Sequence, residues 1–219
     1  MLKVKVIPVT AFQQNCSVLR CDRSGRGAVV DPGGDQERIL EVLHEDHVMV
    51  ERILVTHGHA DHAGAVADLS ERLGVPVEGP HRDDLFLVAA MAEQAQQFGL
   101  PACRPFTPDR WLVHGDTVRV GDTTLDVLHC PGHTPGHVVF FDAADGFVIS
   151  GDVIFKGSIG RTDFPRGDFA TLLSSIRGRL FPLGDEVTFL PGHGPVSTFG
   201  EERRSNPFVG DAAVAGGAP

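Results

Sequence analysis

The sequence predicts a mixed α/β fold made of two groups of strands with helices between and after them. Short runs that alternate apolar and polar side chains, or are apolar throughout, recur over 2–9, 15–20 and 27–31 and again over 118–120, 124–128, 138–141 and 147–149, which is the two-residue period of a strand. Between these groups lie stretches whose apolar residues return at three- and four-residue spacing, as a helix with one buried face requires. A further observation bears on function: several apolar runs are followed at once by loops that carry histidine and aspartate.

The first three strands form a β-meander, with the turn-prone Ser24-Gly25-Arg26-Gly27 before the third strand and Asp31-Pro32-Gly33-Gly34 after it. Asp35 is placed to cap a helix that runs through His44 and carries Ile39, Leu40 and Leu43 on one face. His44 and His47 then fall on the surface. A strand over 51–56 leads into a histidine-rich loop, and a helix from about Ala63 to Leu73 follows, with Val66, Leu69 and Leu73 at helical spacing. Val75-Pro76-Val77 begins a short strand. Over 83–98, Leu85, Phe86, Leu87, Val88, Met91, Ala95 and Phe98 cover more than one face of a helix, so that helix is buried or covers something. With the proline-rich run from Pro101 to Pro108 and Trp111, residues 80–112 read as an insertion near the site. A second meander spans 117–149, Asp168 caps a helix through about Leu180, and Val187 to Leu190 is a last short strand. Residues 1–208 are expected to form one domain, and 209–219, small and polar, a flexible tail.

A chain of 219 residues with 42% hydrophobic and 22% charged content can bury a sizeable core. Its net charge of −10, pI of about 5.5 and lack of a Lys/Arg run exclude the usual basic nucleic-acid surface. The N-terminus from Met1 to Pro8 alternates like a strand and is too short in apolar residues for a signal peptide or membrane span. A cytoplasmic protein with no membrane partner is expected. Cys16, Cys21, Cys103 and Cys130 show no Cys-x-x-Cys spacing and read as buried free thiols.

The most informative stretch is Thr56-His57-Gly58-His59-Ala60-Asp61-His62, directly after the apolar Ile53-Leu54-Val55. Gly58 breaks the pattern where a strand would end, so the four metal-capable side chains sit on a loop. His57 and His59, two apart, can turn to one side and share an ion, and Asp61 and His62 can reach a second. Later loops repeat the theme: His133 lies between two Pro/Gly turns, Asp152 follows Ser150-Gly151, and His193 follows Leu190-Pro191-Gly192. Together these are five histidines and two aspartates at the C-terminal ends of strands, enough for two ions that share one carboxylate. A chance polar loop would not recur in this way. His129 and His137 flank His133 but are not needed as ligands; His81 and His114 read as ordinary surface residues.

The pattern His-x-His-x-Asp-His, then a lone His, Asp and His, resembles that of the metallo-β-lactamase superfamily over residues 1–208. The resemblance implies an αββα sandwich, two mixed β-sheets flanked by helices, with the site at one edge. It implies that His57, His59 and His133 hold one metal, that Asp61, His62 and His193 hold another, and that Asp152 bridges them. Two divalent ions are implied, zinc foremost, with iron or manganese also suited to such donors. Gly151 to Phe164 and the ending Glu201 to Phe208 look like the glyoxalase II branch, and most like its short, single-domain members. The activity this implies is hydrolysis of a glutathione-derived thioester such as S-lactoylglutathione by a metal-bridging hydroxide, with Asp61 binding its ion and orienting that hydroxide, and Arg161 meeting a substrate carboxylate. Longer members carry a tyrosine where this chain has Asp163, Glu-Tyr where it has Gly194-Pro195, and a C-terminal helical domain that this chain stops short of, so weak glutathione binding is expected. The string Gly160-Arg161-Thr162-Asp163-Phe164 is also similar to that of mononuclear iron persulfide dioxygenases acting on glutathione persulfide, but these follow the last histidine with Asp-Tyr.

Overall fold

The computed structural model describes residues 1–215, and its strands gather into two main sheets. In the first, β1 (Leu2–Val9), β2 (Gln14–Cys21) and β3 (Arg26–Val30) run antiparallel, as a meander should. β4 (Met49–Leu54) and β5 (Val77–Glu78) then add in parallel. Parallel neighbours need a crossover. Helix α1 (Gln36–Glu45) provides the first, and α2 (Ala60–Ala63) with α3 (Val66–Leu73) the second. A single 3-10 turn at Arg82–Asp84, α4 (Leu85–Ala89) and α5 (Met91–Phe98) lead on to the second sheet. There β6 (Thr117–Val120), β7 (Thr123–His129), β8 (Val138–Asp142) and β9 (Phe147–Gly151) form the second meander. A small hairpin of β10 (Ile154–Phe155) and β11 (Ser158–Ile159) follows, then α6 (Phe169–Ser175), which continues as a π turn through Leu180. β12 (Thr188–Pro191) joins β9 in parallel, β13 (Ser197–Thr198) pairs with β12, and α7 (Phe199–Ser205) and α8 (Asp211–Ala215) close the described chain.

Three apolar layers stack in series. Consecutive residues of a strand face opposite sides of its sheet, so Val18, Val29 and Ile53 pack outward on Ile39, Leu69 and Met91 from α1, α3 and α5. Their neighbours Leu19, Val30 and Leu54 face inward, against Val127, Phe140 and Ile149 of the second sheet. Val139, Val148 and Phe189 face out on the far side, against Leu172, Ile176 and Phe199. The result is the αββα sandwich, two mixed sheets flanked by helices. Burial on both faces explains why the central strands read as unbroken apolar runs, and each fully buried Leu, Ile or Phe there contributes roughly 2 kcal/mol relative to an exposed one.

Several local expectations are corrected. Asp35 makes no cap bond; its backbone is left-handed, at φ 49°, and its carboxylate accepts the Thr10 N–H at 2.7 Å. The helix expected from Ala63 begins at Ala60 and breaks before Val66, where the Ala65 N–H bonds the Pro32 carbonyl. The 83–98 helix breaks at Ala90, beside the Leu87 carbonyl that receives the Gln94 side chain at 2.8 Å. Order continues past Phe208: Val209 is fully buried, and Arg177 reaches its carbonyl and the Asp211 carboxylate. Residues 216–219 of the expected tail lie outside the described residues. The four cysteines are buried and unpaired, and no described helix is long and apolar enough to cross a membrane.

Candidate metal centre

β3 and β4 lie side by side and end together, which brings Asp31 to the start of the histidine loop. Asp31 Oδ1 accepts the Thr56 N–H at 2.7 Å, and Oδ2 accepts the Thr56 hydroxyl at 2.6 Å and the His62 Nδ1–H at 3.0 Å. Having given its one proton to Asp31, Thr56 Oγ1 accepts from His57 Nδ1 at 3.0 Å. Asp31 therefore orients His57 through Thr56 and His62 directly. In the sequence alone Asp31 reads only as a turn residue. Next to it, Gly33 lies so close beneath the loop that a Cβ would fall 1.5 Å from the Asp61 carbonyl oxygen, which explains the glycine.

The seven residues expected from the sequence converge as two triads with Asp152 between them. His59 Nδ1 lies 3.1 Å from His57 Nε2 and 3.0 Å from His133 Nε2. In the second group His193 Nε2 lies 3.3 Å from His62 Nε2 and 3.2 Å from Asp61 Oδ2. Asp152 stands between the two: Oδ1 is 3.3 Å from His62 Nε2, and Oδ2 is 3.7 Å from both His133 Nε2 and His193 Nε2.

The outward nitrogens show what the inward ones carry. His133 Nδ1 donates to the Arg161 carbonyl at 2.7 Å and His193 Nδ1 to the Phe12 carbonyl at 3.1 Å. With His57 also donating from Nδ1, the Nε2 atoms of His57 and His133 present bare lone pairs toward the centre, and those of His62 and His193, whose Nδ1 atoms are likewise engaged, face it where a metal can take the place of a proton. Lone pairs about 3 Å apart repel unless a cation lies among them. The buried Asp152 Oδ1 likewise has its His62 contact but no hydrogen bond. The donors thus fit a divalent metal, with four of the five imidazoles, all but His59, held from behind as a ligand should be.

Charge favours the same arrangement. Burial, reinforced by neighbouring imidazoles, holds His57 well below the usual histidine range and His59 at about 3; burial also lowers His133. These rings stay neutral, as ligands must. Burial opposes a proton on His62 and His193 too, but Asp152 and Asp61 outweigh it and raise both. The second triad, richer in carboxylate, attracts positive charge. Asp152 is held well below the carboxylate range: burial opposes this, and His62, His133 and His193 prevail.

His137, set aside from the sequence, is fully buried; its Nε2 accepts the Asp152 N–H at 3.0 Å and its ring stacks on His57 at 4.6 Å. Its Nε2 is taken up by the Asp152 backbone, so it adds a donor to neither triad. His129 bonds the Pro135 carbonyl and stacks on His81, away from the centre.

With this geometry, the match of residues 9–205 to the metallo-β-lactamase superfamily model decides the family. The chain belongs to the metallo-β-lactamase superfamily. Among its relatives there, hydroxyacylglutathione hydrolase GloC of Haemophilus influenzae is 46% identical over 209 residues, covering 95% of this chain and 98% of GloC. The crystal structure of BLEG-1 B3 metallo-β-lactamase gives a TM-score of 0.87 at 34% identity, over 94% of this chain and 99% of that one. TTHA1623 in a di-iron-bound form gives 0.86 at 38% identity, over 94% and 100%. As a member of this superfamily of metallo-hydrolases, the chain is an enzyme.

In this metallo-β-lactamase fold His59, Asp61, His133, Asp152 and His193 line a cavity of about 640 Å³. Phe12, Phe98, Phe155, Phe164 and Ile159 wall it, with Lys156 and Arg161 at its edge. Arg161, expected as the one cation well placed for a substrate, is already engaged: Nε and Nη2 donate to Asp163 at 2.9 and 2.7 Å, and the guanidinium lies 4.5 Å over the Phe164 ring. Lys156 also lines the cavity, 3.5 Å from Glu201.

Proposed function

We propose that the enzyme hydrolyses a glutathione-derived thioester, with S-lactoylglutathione as the model substrate, at two divalent ions that share Asp152. The placing of Asp152 within 3.3–3.7 Å of ring nitrogens from both triads carries this reading. The name of the GloC relative supports the substrate class. Imidazole and carboxylate donors without a thiolate suit zinc first, and iron or manganese as well. Four unpaired cysteines are in keeping with the cytoplasm.

Bound divalent ions supply acidified water and a polarised carbonyl. The chain supplies the positioning. Asp61, partly exposed at the cavity floor, can accept a hydrogen bond from the attacking water and hold its oxygen toward the thioester carbon. As the C–O bond forms the C–S bond breaks, and a thiolate whose acid has a pKa of about 8.5 leaves with little need of a proton donor. The phenylalanine wall excludes bulk water and packs on the apolar parts of the substrate. Arg161 and Lys156 are the cations available to a substrate carboxylate, but each must first leave an acidic partner, so glutathione is held weakly.

One observation favours a second reading, a mononuclear iron persulfide dioxygenase. The Gly160–Phe164 string supports the first triad in particular, through the Arg161 carbonyl on His133 and the Phe164 ring 4.9 Å from that of His59. Assays of protein loaded with zinc or iron against S-lactoylglutathione, glutathione persulfide and a β-lactam separate the possibilities. Thioester hydrolysis with two ions per chain is expected; oxygen uptake on the persulfide, with one iron and no hydrolysis, would overturn the hydrolase reading.

A further inference from the structure

Gly58, the residue between His57 and His59, is gripped at both ends by side chains from the 80–112 segment. Its N–H donates to Asp84 Oδ2 at 2.9 Å, and its carbonyl accepts from Gln94 Nε2 at 3.1 Å. Gln94 also accepts the Ala60 N–H at 3.3 Å. Asp84 then reaches across to the other loop of the first triad. Its Oδ2 accepts the Thr134 hydroxyl at 2.8 Å, next to His133, and its Oδ1 accepts the Gly136 N–H at 2.6 Å. Both side chains are buried, Asp84 fully. The fit is close: a Cβ on Gly136 would come within 2.6 Å of the Asp84 side chain.

An ionised carboxylate accepts on both oxygens, which is what three donors arriving at two oxygens demand. An amide in its place would turn an N–H toward either the Gly58 or the Gly136 N–H. The clamp touches none of the three imidazoles, yet it fixes the peptide between two of them and the residue beside the third.

We propose that Asp84 and Gln94 are positioning residues that set the spacing of His57, His59 and His133, so that the 80–112 segment tunes how tightly the first ion is held. This rests on the two-ion reading. Outer partners of metal ligands commonly govern affinity by ten- to a hundredfold; acting here through backbone, the clamp belongs at the lower end of that range.

Cobalt(II) is the probe. The metal-free full-length chain is titrated against a competing chelator, following visible absorption and the paramagnetically shifted imidazole proton resonances, with His133→Ala identifying the step that belongs to the first triad. In Asp84→Asn the first dissociation constant should rise about tenfold with an altered cobalt spectrum, while the second changes less than about threefold. Thr134→Val, nearly isosteric, should give the same selective weakening to a smaller degree, and Thr134→Ser should restore wild-type binding. Thermal unfolding of the metal-free variants shows which fold, and if Asp84→Asn does not, the Thr134 pair decides. Variants that bind both ions as wild type does, or that weaken both equally, would overturn the proposal. A wild-type chain that takes up one cobalt ion or none would instead remove the two-ion reading beneath it.

Discussion

Replacing Asp31 by asparagine tests how the centre is held from behind. The carboxylate serves three donors, the Thr56 N–H on Oδ1 and the Thr56 hydroxyl and His62 Nδ1–H on Oδ2. Asparagine keeps one oxygen. Its best placement leaves that oxygen on the Oδ2 side and turns its amide N–H against the Thr56 N–H, which is then buried and unsatisfied. Such a donor costs about 1–3 kcal/mol, and the two remaining bonds lose their charge assistance, so a loss of about 3 kcal/mol in the metal-free protein is expected. His62 loses its anionic support directly and His57 through Thr56, so affinity for both ions should fall, by about tenfold or more. Urea unfolding of the metal-free variant gives the first quantity, and metal content after dialysis against a graded chelator gives the second. Stability within about 0.5 kcal/mol of wild type, with metal retained at the same chelator concentration, would refute the role given to Asp31.

Three other outcomes follow from the same geometry. In His193→Ala the second triad should empty while the first keeps its ion, and elemental analysis showing the reverse loss would contradict the grouping. Arg161→Ala should raise KM for S-lactoylglutathione about fivefold with kcat little changed, less than the tenfold of an unpaired anchor because Asp163 already competes for the guanidinium; Asp163→Ala should lower KM, and a fall in kcat at constant KM would assign Arg161 another part. Asp84 supplies a pH signature in the metal-free protein: burial, only partly offset by its three donors, raises its carboxyl to about 6, against about 3.9 for an unfolded aspartate. The fold holds that proton more tightly than the unfolded chain, so the contribution is complete below about pH 4 and is lost as pH rises through about 6. The stability of wild type relative to Asp84→Asn should therefore grow by about 2 kcal/mol between pH 7 and pH 4.5 in urea unfolding. A constant or shrinking gap would refute it.

What was legible in the sequence was what a single segment encodes. The central strands announced themselves because both their faces are buried, and the ligand loops because histidine and aspartate recur where apolar runs end. Residues whose meaning lies in a distant partner stayed hidden. Asp84 bonds groups 26, 50 and 52 positions away, and alone it reads as one acid in the Arg82-Asp83-Asp84 turn. Asp31 looked like turn chemistry until the parallel pairing of β3 with β4 brought it to Thr56. Asp35 showed a capping residue's identity, but the Thr10 N–H took its carboxylate. Arg161 is a different case, since Asp163 stands two residues on and the pairing could have been anticipated.

The shared carboxylate is the centre of the functional reading, and native mass spectrometry of wild type and Asp152→Ala, beside an assay on S-lactoylglutathione, tests it most directly. Wild type should carry two divalent ions per chain and hydrolyse the thioester, and the variant should carry one or none and be inactive, with an unchanged fold by circular dichroism. Two ions retained in Asp152→Ala would contradict the bridging role, whatever activity remained.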